Sequence, residues 1–275
     1  MKLTADQILE FQKKVYDYYN KNRRDFAWRN DITEYKVFIS EVMLQQTQTS
    51  RVIFKFEQWI QRFPTLESVA IATQHEILST WQGLGYNRRG INLARAAQMI
   101  LQEFHGKLPR DLENLQKLPG IGPNTAGSIS AFAFNLPVVF IETNIRTVFL
   151  YEFFKDQESV SDKEILNLVK QTLDYKNSRD WYYALMDYGV YLKKELKVNN
   201  KKSKHYTKQS KFEGSKRQVR GSIIRILSKM KKLREEDLFM LVEQEIPENN
   251  HSVEQVIEDL LSEKLIFKEK NNFYL

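Results

Sequence analysis

The stretch Leu118-Pro119-Gly120-Ile121-Gly122-Pro123-Asn124-Thr125-Ala126-Gly127 decides the fold of this chain. Two glycines one residue apart let the backbone turn sharply and approach another surface closely. Pro123 suits the first turn of a following helix, where its missing N–H costs nothing. Residues 111–117 have the pattern of a short preceding helix, so we predict a helix, a hairpin and a second helix whose free N–H groups favour an anion. An ordinary tight turn between two helices is the alternative, because two glycines alone specify little.

The composition indicates a folded protein with a polyanionic partner. Of the 275 residues, 42% are hydrophobic, and no apolar run approaches the length of about 18 residues that a membrane span needs. No apolar signal region follows Met1, so we expect a cytoplasmic, DNA-associated protein. The chain has no cysteine, which excludes disulfides and thiolate-bound metal centres, and its four histidines show no ligand spacing. The net charge of +7 favours nucleic acid as the partner.

The positive charge is concentrated between Lys193 and Arg220. Eleven Lys or Arg residues lie there beside two acidic ones, Glu195 and Glu213, so the rest of the chain carries about −2. We predict that this segment contacts DNA phosphates. A solvated linker is the alternative, because many charge runs have no partner.

Hydrophobic spacing predicts an all-α body followed by a small module. A Thr4-x-x-Gln7 capping box should begin the first helix, and Ser161-x-x-Glu164 should begin a later one. We expect the first helix to end near residue 20 and a loop to follow at 22–33. Further helices are expected at 35–50, 51–62, 66–72, 74–81, 88–104, 124–134, 144–154, 162–174 and 179–195. The predicted domains are 1–192, a basic linker at 193–216, and 217–275.

The C-terminal module has the pattern of a winged helix. Helices are predicted at 217–230, at 234–244 and from a cap at Ser252, followed by short strands at 265–267 and 273–275. Winged helices often bind DNA. A docking domain without nucleic-acid contact fits the same pattern equally well.

Several motifs occur in a fixed order over residues 8–192. They are Trp28-Arg29, Tyr35-Lys36-Val37, Ser40-Glu41-Val42-Met43-Leu44-Gln45-Gln46-Thr47-Gln48, Gly83-Leu84-Gly85-Tyr86, the hairpin, and Ala184-Leu185-Met186-Asp187-Tyr188-Gly189. Together they resemble the MutY-like adenine glycosylases of the helix-hairpin-helix (HhH-GPD) DNA glycosylase superfamily. The resemblance implies a two-lobed all-α body that flips adenine out of duplex DNA and removes it when it is paired with 8-oxoguanine or guanine.

The resemblance also implies roles for single residues. Glu41 matches the acid that protonates the leaving adenine, and Glu142 stands where the family has the aspartate that stabilises the sugar cation. The implied DNA-contacting and substrate-contacting residues are Arg29, Gln45, Gln46, Tyr86, Asn87, Arg88, Gly120, Gly122, Asn124, Thr125 and Asn144. Independently of the resemblance, the apolar neighbours Phe38, Val42 and Leu44 predict a partly desolvated Glu41 with a raised pKa.

The sequence departs from the family pattern in four places. Glu142 moves the carboxylate out by about 1.5 Å relative to an aspartate, and a misplacement of that size can slow a reaction by about 10²-fold. Asn87 replaces a second tyrosine of the glycine turn. The four iron–sulfur cysteines fall near Lys193, Asn200, Ser203 and Gln209, and the C-terminal module does not resemble the family's Nudix-like domain. We therefore expect no metal site and no iron–sulfur cluster, although the hairpin could hold a monovalent cation.

The sequence therefore favours a monomeric, monofunctional glycosylase acting on double-stranded DNA with a mispaired or damaged base. We expect no AP-lyase activity, because Asn124 stands where bifunctional relatives place the Schiff-base lysine. Two alternatives stay open. One is a glycosylase that removes uracil or thymine from mismatches, and the other is a catalytically inactive protein that binds damaged DNA.

Overall fold

The computed structural model describes residues 1–206, 211–248 and 251–275, and it confirms the all-α class. The helices of the body are α1 (Ala5–Asn22), α2 (Ala27–Asn30), α3 (Glu34–Leu44), α4 (Thr49–Arg62), α5 (Leu66–Ala70), α6 (Gln74–Trp81), α7 (Arg88–Glu103), α8 (Leu112–Lys117), α9 (Pro123–Phe134), α10 (Thr143–Phe153), α11 (Asp162–Thr172) and α12 (Ser178–Lys194). The C-terminal module contains α13 (Lys216–Met230), β1 (Lys232–Arg234), α14 (Glu235–Glu245), α15 (Val253–Ser262), β2 (Phe267–Glu269) and β3 (Asn272–Tyr274).

The chain forms two compact units, and it passes between them more than once. The first unit contains Met1–Glu41, Pro109–Lys117 and Ile121–Lys208, and the second contains Val42–Leu108, Leu118–Gly120 and Gln209–Leu275. The domain boundaries predicted at residues 192 and 216 do not coincide with these units and stay predictions.

The core of the first unit is built from α1, α9, α10, α11 and α12. Phe11 of α1 packs edge-on against Phe149 and Trp181, with ring centroids 5.5 and 5.7 Å apart. Such aromatic pairs add about 0.5–1.5 kcal/mol each to the stability that burial provides. The predicted capping boxes at Thr4 and Ser161 are both present, so the N-cap and N3 N–H groups of α1 and α11 have side-chain partners.

Two glycines allow elements of the first unit to approach each other closely. A Cβ atom on Gly127 of α9 would lie 2.6 Å from the Cβ of Phe140, just before α10. A Cβ atom on Gly189 of α12 would lie 2.5 Å from the carbonyl oxygen of Asn144, in the first turn of α10. Because a larger residue would need a shift at either place, α12 packs directly against the first turn of α10, and α9 packs against Phe140 before it.

The second unit joins residues 42–108 to the C-terminal module. Trp59 of α4 and Trp81 of α6 meet edge-on at 5.5 Å in its core. α13 packs on α6, and the side chain of Gln82 donates to the Ser228 hydroxyl at 3.2 Å. The three strands pair antiparallel in the order β1-β3-β2. Three helices with a small antiparallel sheet fit the predicted winged-helix pattern, and β1 between α13 and α14 adds a third strand to it.

The structure corrects three details of the sequence-based assignment. Trp28 and Arg29, predicted in a loop, lie in the short helix α2. The helix predicted at 35–50 ends at Leu44, because Gln46 adopts a left-handed backbone with a φ of 51° that no α-helix can contain. Strand β1 was not predicted, since three residues with a charge at either end carry no clear alternation.

Candidate active site

Glu41 lies in α3 between the buried side chains of Phe38 and Val42 and is itself half-buried. Burial raises the pKa of its carboxyl from 4.5 to about 7. A hydrogen bond with the Ser128 hydroxyl and the charge of Arg29 act to lower this pKa, and the negative charge of Glu142 acts to raise it. At neutral pH a substantial fraction of Glu41 therefore holds a proton, as a general acid requires. The sequence predicted the shift but not Ser128.

Arg29 is fixed in a buried ion pair. Its Nη1 donates to the two carboxylate oxygens of Asp187 at 3.1 and 2.9 Å, and its Nη2 donates to Oδ1 at 3.1 Å. The guanidinium also lies 4.2 Å from the ring centroid of Tyr183. Because Asp187 neutralises Arg29 at close range, the charge that would otherwise draw the proton off Glu41 is weakened.

Asp187 was not among the predicted site residues. It also accepts hydrogen bonds from the backbone N–H and the Nε of Arg24, at 3.0 and 2.6 Å. The sequence carried one signal for it, since an aspartate stands within an otherwise apolar and aromatic stretch of α12.

Glu142 is the N-cap residue of α10. Its Oε1 accepts from the backbone N–H of Asn144 at 2.8 Å and from that of Ile145 at 2.9 Å. Its Oε2 accepts from the side-chain amide of Asn144 at 3.2 Å. Aspartate, asparagine, serine and threonine are the usual N-cap residues, and here the longer glutamate performs the same task. The helix start thus holds a carboxylate in one position, and the helix dipole favours its negative charge.

The hairpin has the backbone that the sequence predicted. Gly120 has a φ of 82°, in the left-handed region, and a Cβ atom there would lie 3.1 Å from the Cβ of Asn92. Gly122 has an ordinary φ of −89°, and a Cβ atom there would meet no protein atom within 4 Å. Nothing within the described chain requires glycine at 122. A close approach by another molecule would require it.

Residues next to the hairpin include other predicted contacts. Asn124 is exposed in the first turn of α9, and Thr125 is half-buried in the same turn. The side-chain amide of Gln45 donates to the carbonyl of Gly120 at 3.1 Å, whereas Gln46 is exposed. The structure thus ties Gln45 to the hairpin and leaves Gln46 at the tip of its turn.

The turn Gly83-Leu84-Gly85-Tyr86, before α7, presents an exposed side chain, as the turn at Gln46 does. Tyr86 is 41% exposed and has a φ of 47°, which is uncommon for a tyrosine. Asn87 is the N-cap residue of α7, and Arg88 after it is exposed. Arg89, which was not predicted, connects the turn to the end of α3 by donating to the carbonyls of Val42, Met43, Leu84 and Gly85 at 2.9–3.1 Å.

Gln46 and Tyr86 both have a left-handed backbone at an exposed turn, and such strained residues cluster at functional sites. The family model described as "HhH-GPD superfamily base excision DNA repair protein" matches residues 39–180, about half of the chain. The chain belongs to this superfamily.

Similar proteins agree with this assignment. The adenine DNA glycosylase of Mus musculus is 34% identical over 195 residues, which cover 66% of this chain and 38% of the mouse protein. The adenine DNA glycosylase of Buchnera aphidicola subsp. Schizaphis graminum is 33% identical over 188 residues, covering 66% of this chain and 54% of that protein. The chain therefore matches about two fifths to a little over half of these relatives' length.

A solved structure shares the fold. The structure of a thermostable thymine-DNA glycosylase superposes with a TM-score of 0.61 at 22% identity, over 70% of this chain and 89% of that one. Within the described residues, none of the helices combines the length and apolar character that crossing a membrane requires.

The residues of this HhH-GPD protein do not fit an iron–sulfur cluster. The sequence has no cysteine, and thiolates are the usual ligands of such clusters. Of the positions near which the resemblance places the cluster cysteines, Lys193, Asn200 and Ser203 supply an amine, an amide and a hydroxyl, and Gln209 lies outside the described residues. In the part of the chain that the structure describes, no three His, Asp or Glu side chains form a group able to hold a metal ion.

The basic segment between Lys193 and Arg220 is less uniform than the sequence suggested. Lys216 pairs with Asp259, and Arg220 pairs with Glu263. Lys194, Lys197, Lys201 and Lys204 are exposed, whereas Lys208 lies outside the described residues. Carboxylates therefore partly neutralise Lys216 and Arg220, which reduces the charge that these two residues offer to a phosphate backbone.

Proposed function

We propose that this protein is a monofunctional DNA glycosylase that hydrolyses the N-glycosidic bond of adenine mispaired with 8-oxoguanine or guanine. The observation that carries the proposal is a pair of carboxyl groups in different surroundings: Glu41, with a pKa raised to about 7 by burial, and Glu142, held at a helix N-terminus. Two carboxyls with opposite roles are what glycosidic bond cleavage needs. The adenine DNA glycosylases that match this chain support adenine as the base.

In the proposed reaction, the bond between the sugar and the base breaks and its electron pair leaves with the base. Glu41 donates its proton to the leaving base, so the base departs as a neutral molecule. The Glu142 carboxylate stabilises the positive charge that develops on the sugar. Water then adds to the sugar carbon and gives a proton to the Glu41 carboxylate, which restores the acid and leaves an abasic site.

The proposed partner is duplex DNA with a mispaired or damaged base, bound by a monomer. The N–H groups at the hairpin and the start of α9 suit a DNA phosphate, and Gly122 leaves room for it. Gln46 and Tyr86, exposed at two turn tips, suit entry into the base stack while the adenine is flipped out. Arg88 and the exposed lysines after α12 suit contacts with further phosphates. We place such a protein in the cytoplasm, associated with DNA.

We further propose that the enzyme works without an iron–sulfur cluster and does not cut the strand. The absence of cysteine from the sequence supports the first statement. The second rests on Asn124, whose amide cannot form a Schiff base. Elemental analysis should find no stoichiometric iron in active protein. Borohydride should trap no covalent complex with abasic DNA at the level of a bifunctional glycosylase.

A panel of duplexes tests the proposed function. Each duplex carries one mispair or damaged base, and abasic sites are scored after mild alkali. We expect excision of adenine opposite 8-oxoguanine and guanine. Excision of uracil or thymine alone would support the mismatch alternative, and binding of these duplexes without excision of any base would support the inactive DNA-binding alternative.

A further inference from the structure

A lysine at the end of α12 reaches the start of α10. Lys193 Nζ donates to Asn144 Oδ1 at 2.9 Å, and Asn144 Nδ2 donates to Glu142 Oε2 at 3.2 Å. An amine, an amide and a carboxylate thus form a continuous hydrogen-bonded chain. Its last member is the carboxylate that the proposed reaction uses.

The backbone explains why Lys193 can reach this position. Gly189 lies one turn earlier on α12, where it touches Asn144 so closely that a Cβ atom would come within 2.5 Å of the carbonyl oxygen. Residues four apart lie on the same face of a helix. The contact at Gly189 therefore brings Lys193 alongside the side chain of Asn144.

The donor and acceptor properties of the three groups give Lys193 a definite task. A lysine ammonium can only donate hydrogen bonds, and a carboxylate can only accept them. The Asn144 amide satisfies both neighbours in one orientation alone, with Oδ1 towards Lys193 and Nδ2 towards Glu142. Without the lysine, one end of the amide loses its partner and the side chain is free to rotate away from Glu142.

The surroundings of Lys193 fit this task. The side chain is half-buried, and burial lowers its pKa, whereas the charge of Glu142 raises it and that of Arg146 lowers it. Arg146 is occupied by Asp162, to which its Nε and Nη2 donate at 2.9 and 2.8 Å. Lys193 therefore lies beside the start of α10, with Arg146 already engaged elsewhere, and its side chain is less exposed than that of its neighbour Lys194.

The segment after α12 also contacts the start of α10. Asn200 is buried, and its Nδ2 donates to the carbonyl of Thr143 at 3.1 Å. Its Oδ1 lies 2.8 Å from the hydroxyl of Thr147, one turn into α10. The first part of the basic segment is thus attached to α10 through Lys193 and Asn200.

We propose that Lys193 is a positioning residue, which orients Asn144 and through it holds the Glu142 carboxylate where the sugar cation forms. This inference rests on the proposed glycosylase function. It separates Lys193 from the other lysines of the basic segment, whose proposed role is to neutralise DNA phosphates.

Three variants test the inference: Lys193→Met, Lys193→Arg and the matched control Lys194→Met. Lys193→Met removes the donor, and it should lower the single-turnover excision rate at saturating protein about 10- to 100-fold. Its affinity for the duplex and the salt dependence of binding should stay close to those of the wild type, because Lys193 is engaged with Asn144. Lys194→Met removes a proposed phosphate contact, so it should weaken binding and lower the log–log salt slope by about 0.9. Lys193→Arg keeps a donor without an acceptor and should recover most of the rate.

The outcomes separate this inference from the proposed function. If the wild-type protein excises adenine and Lys193→Met does so at the same rate, Lys193 positions nothing and the inference is wrong. Equal rate losses in Lys193→Met and Lys194→Met would also overturn it, because a general charge effect would then explain both. If Lys193→Met does not fold, Lys193→Gln, which can still donate a hydrogen bond, is compared with Lys193→Ala, which cannot. Lys193→Gln should then excise faster than Lys193→Ala, and equal rates would overturn the inference. A wild-type protein without any excision would overturn the proposed function itself.

Discussion

Replacing Glu41 with glutamine should change how the free energy of unfolding depends on pH. The pKa of Glu41 is raised from 4.5 to about 7 in the folded protein, mainly by burial. One pKa unit corresponds to about 1.4 kcal/mol, so ionising this group costs the folded state up to about 3 kcal/mol. Glutamine keeps the shape of the side chain but cannot ionise.

The sign of the effect follows from the direction of the shift. While Glu41 is protonated, its burial carries no cost of ionisation, so its full contribution to the free energy of unfolding is present below pH 4.5. That contribution is lost as the pH rises through about 7 and the buried carboxyl ionises. Glu41→Gln should therefore become more stable than the wild type as the pH rises, by up to about 3 kcal/mol near pH 8. Urea titrations at intervals between about pH 5 and pH 8.5 measure this difference.

An exposed glutamate provides the control. Glu10 lies on the solvent side of α1, and Glu10→Gln should change the free energy of unfolding by no more than about 0.5 kcal/mol at any pH. A constant difference between Glu41→Gln and the wild type over the whole range would refute the argument, because Glu41 would then titrate alike in the folded and unfolded chains.

Three further substitutions have definite expected results. Glu142→Asp retains a good N-cap residue and should leave the melting temperature nearly unchanged, but the shifted carboxylate should slow excision by about 10²-fold in single-turnover assays. Gly122→Ala meets no protein atom, so the fold should be unaffected while the Kd for duplex DNA rises at least about tenfold in an anisotropy titration. Asp187→Asn leaves the charge of Arg29 uncompensated, which should lower the pKa of Glu41 and move the alkaline limb of the pH–rate profile to lower pH. The same variant should lower the free energy of unfolding by about 3 kcal/mol or more in urea titrations.

Each of these has its own contradicting outcome. A faster Glu142→Asp enzyme would mean that the glutamate is a damaged aspartate site. Gly221 in α13 also has open space beside it, so Gly221→Ala is the control. If it loses as much affinity for DNA as Gly122→Ala does, the loss is not specific to the hairpin. An unchanged pH–rate profile in Asp187→Asn would show that Arg29 does not control the proton on Glu41.

The local features of the site were predictable because they depend on neighbours in sequence. Phe38 and Val42 lie within one helical turn of Glu41, so its desolvation follows from the pattern of α3 alone. The left-handed backbone of Gly120 follows from glycine's conformational freedom. The capping boxes at Thr4 and Ser161 follow from side-chain spacing.

The features that escaped prediction depend on contacts between distant segments. Ser128 and Asp187 reach the site from α9 and α12, and nothing in their local sequence shows which side chain they meet. The bond from Lys193 to Asn144 requires the close packing that Gly189 permits. The turn at Gln46 contains neither glycine nor proline, so the usual signals for ending a helix were absent.

The single-turnover rate of adenine excision from an adenine:8-oxoguanine duplex, measured against pH for wild type and Glu41→Gln, tests the central claim most directly. We predict a wild-type rate that is constant below about pH 7 and falls about tenfold per pH unit above it, as Glu41 loses its proton. Glu41→Gln should bind the duplex with wild-type affinity and excise at least about 10²-fold more slowly. Excision by Glu41→Gln at the wild-type rate would contradict the assignment of the acid, and a wild-type protein that removes no base from any duplex would contradict the function.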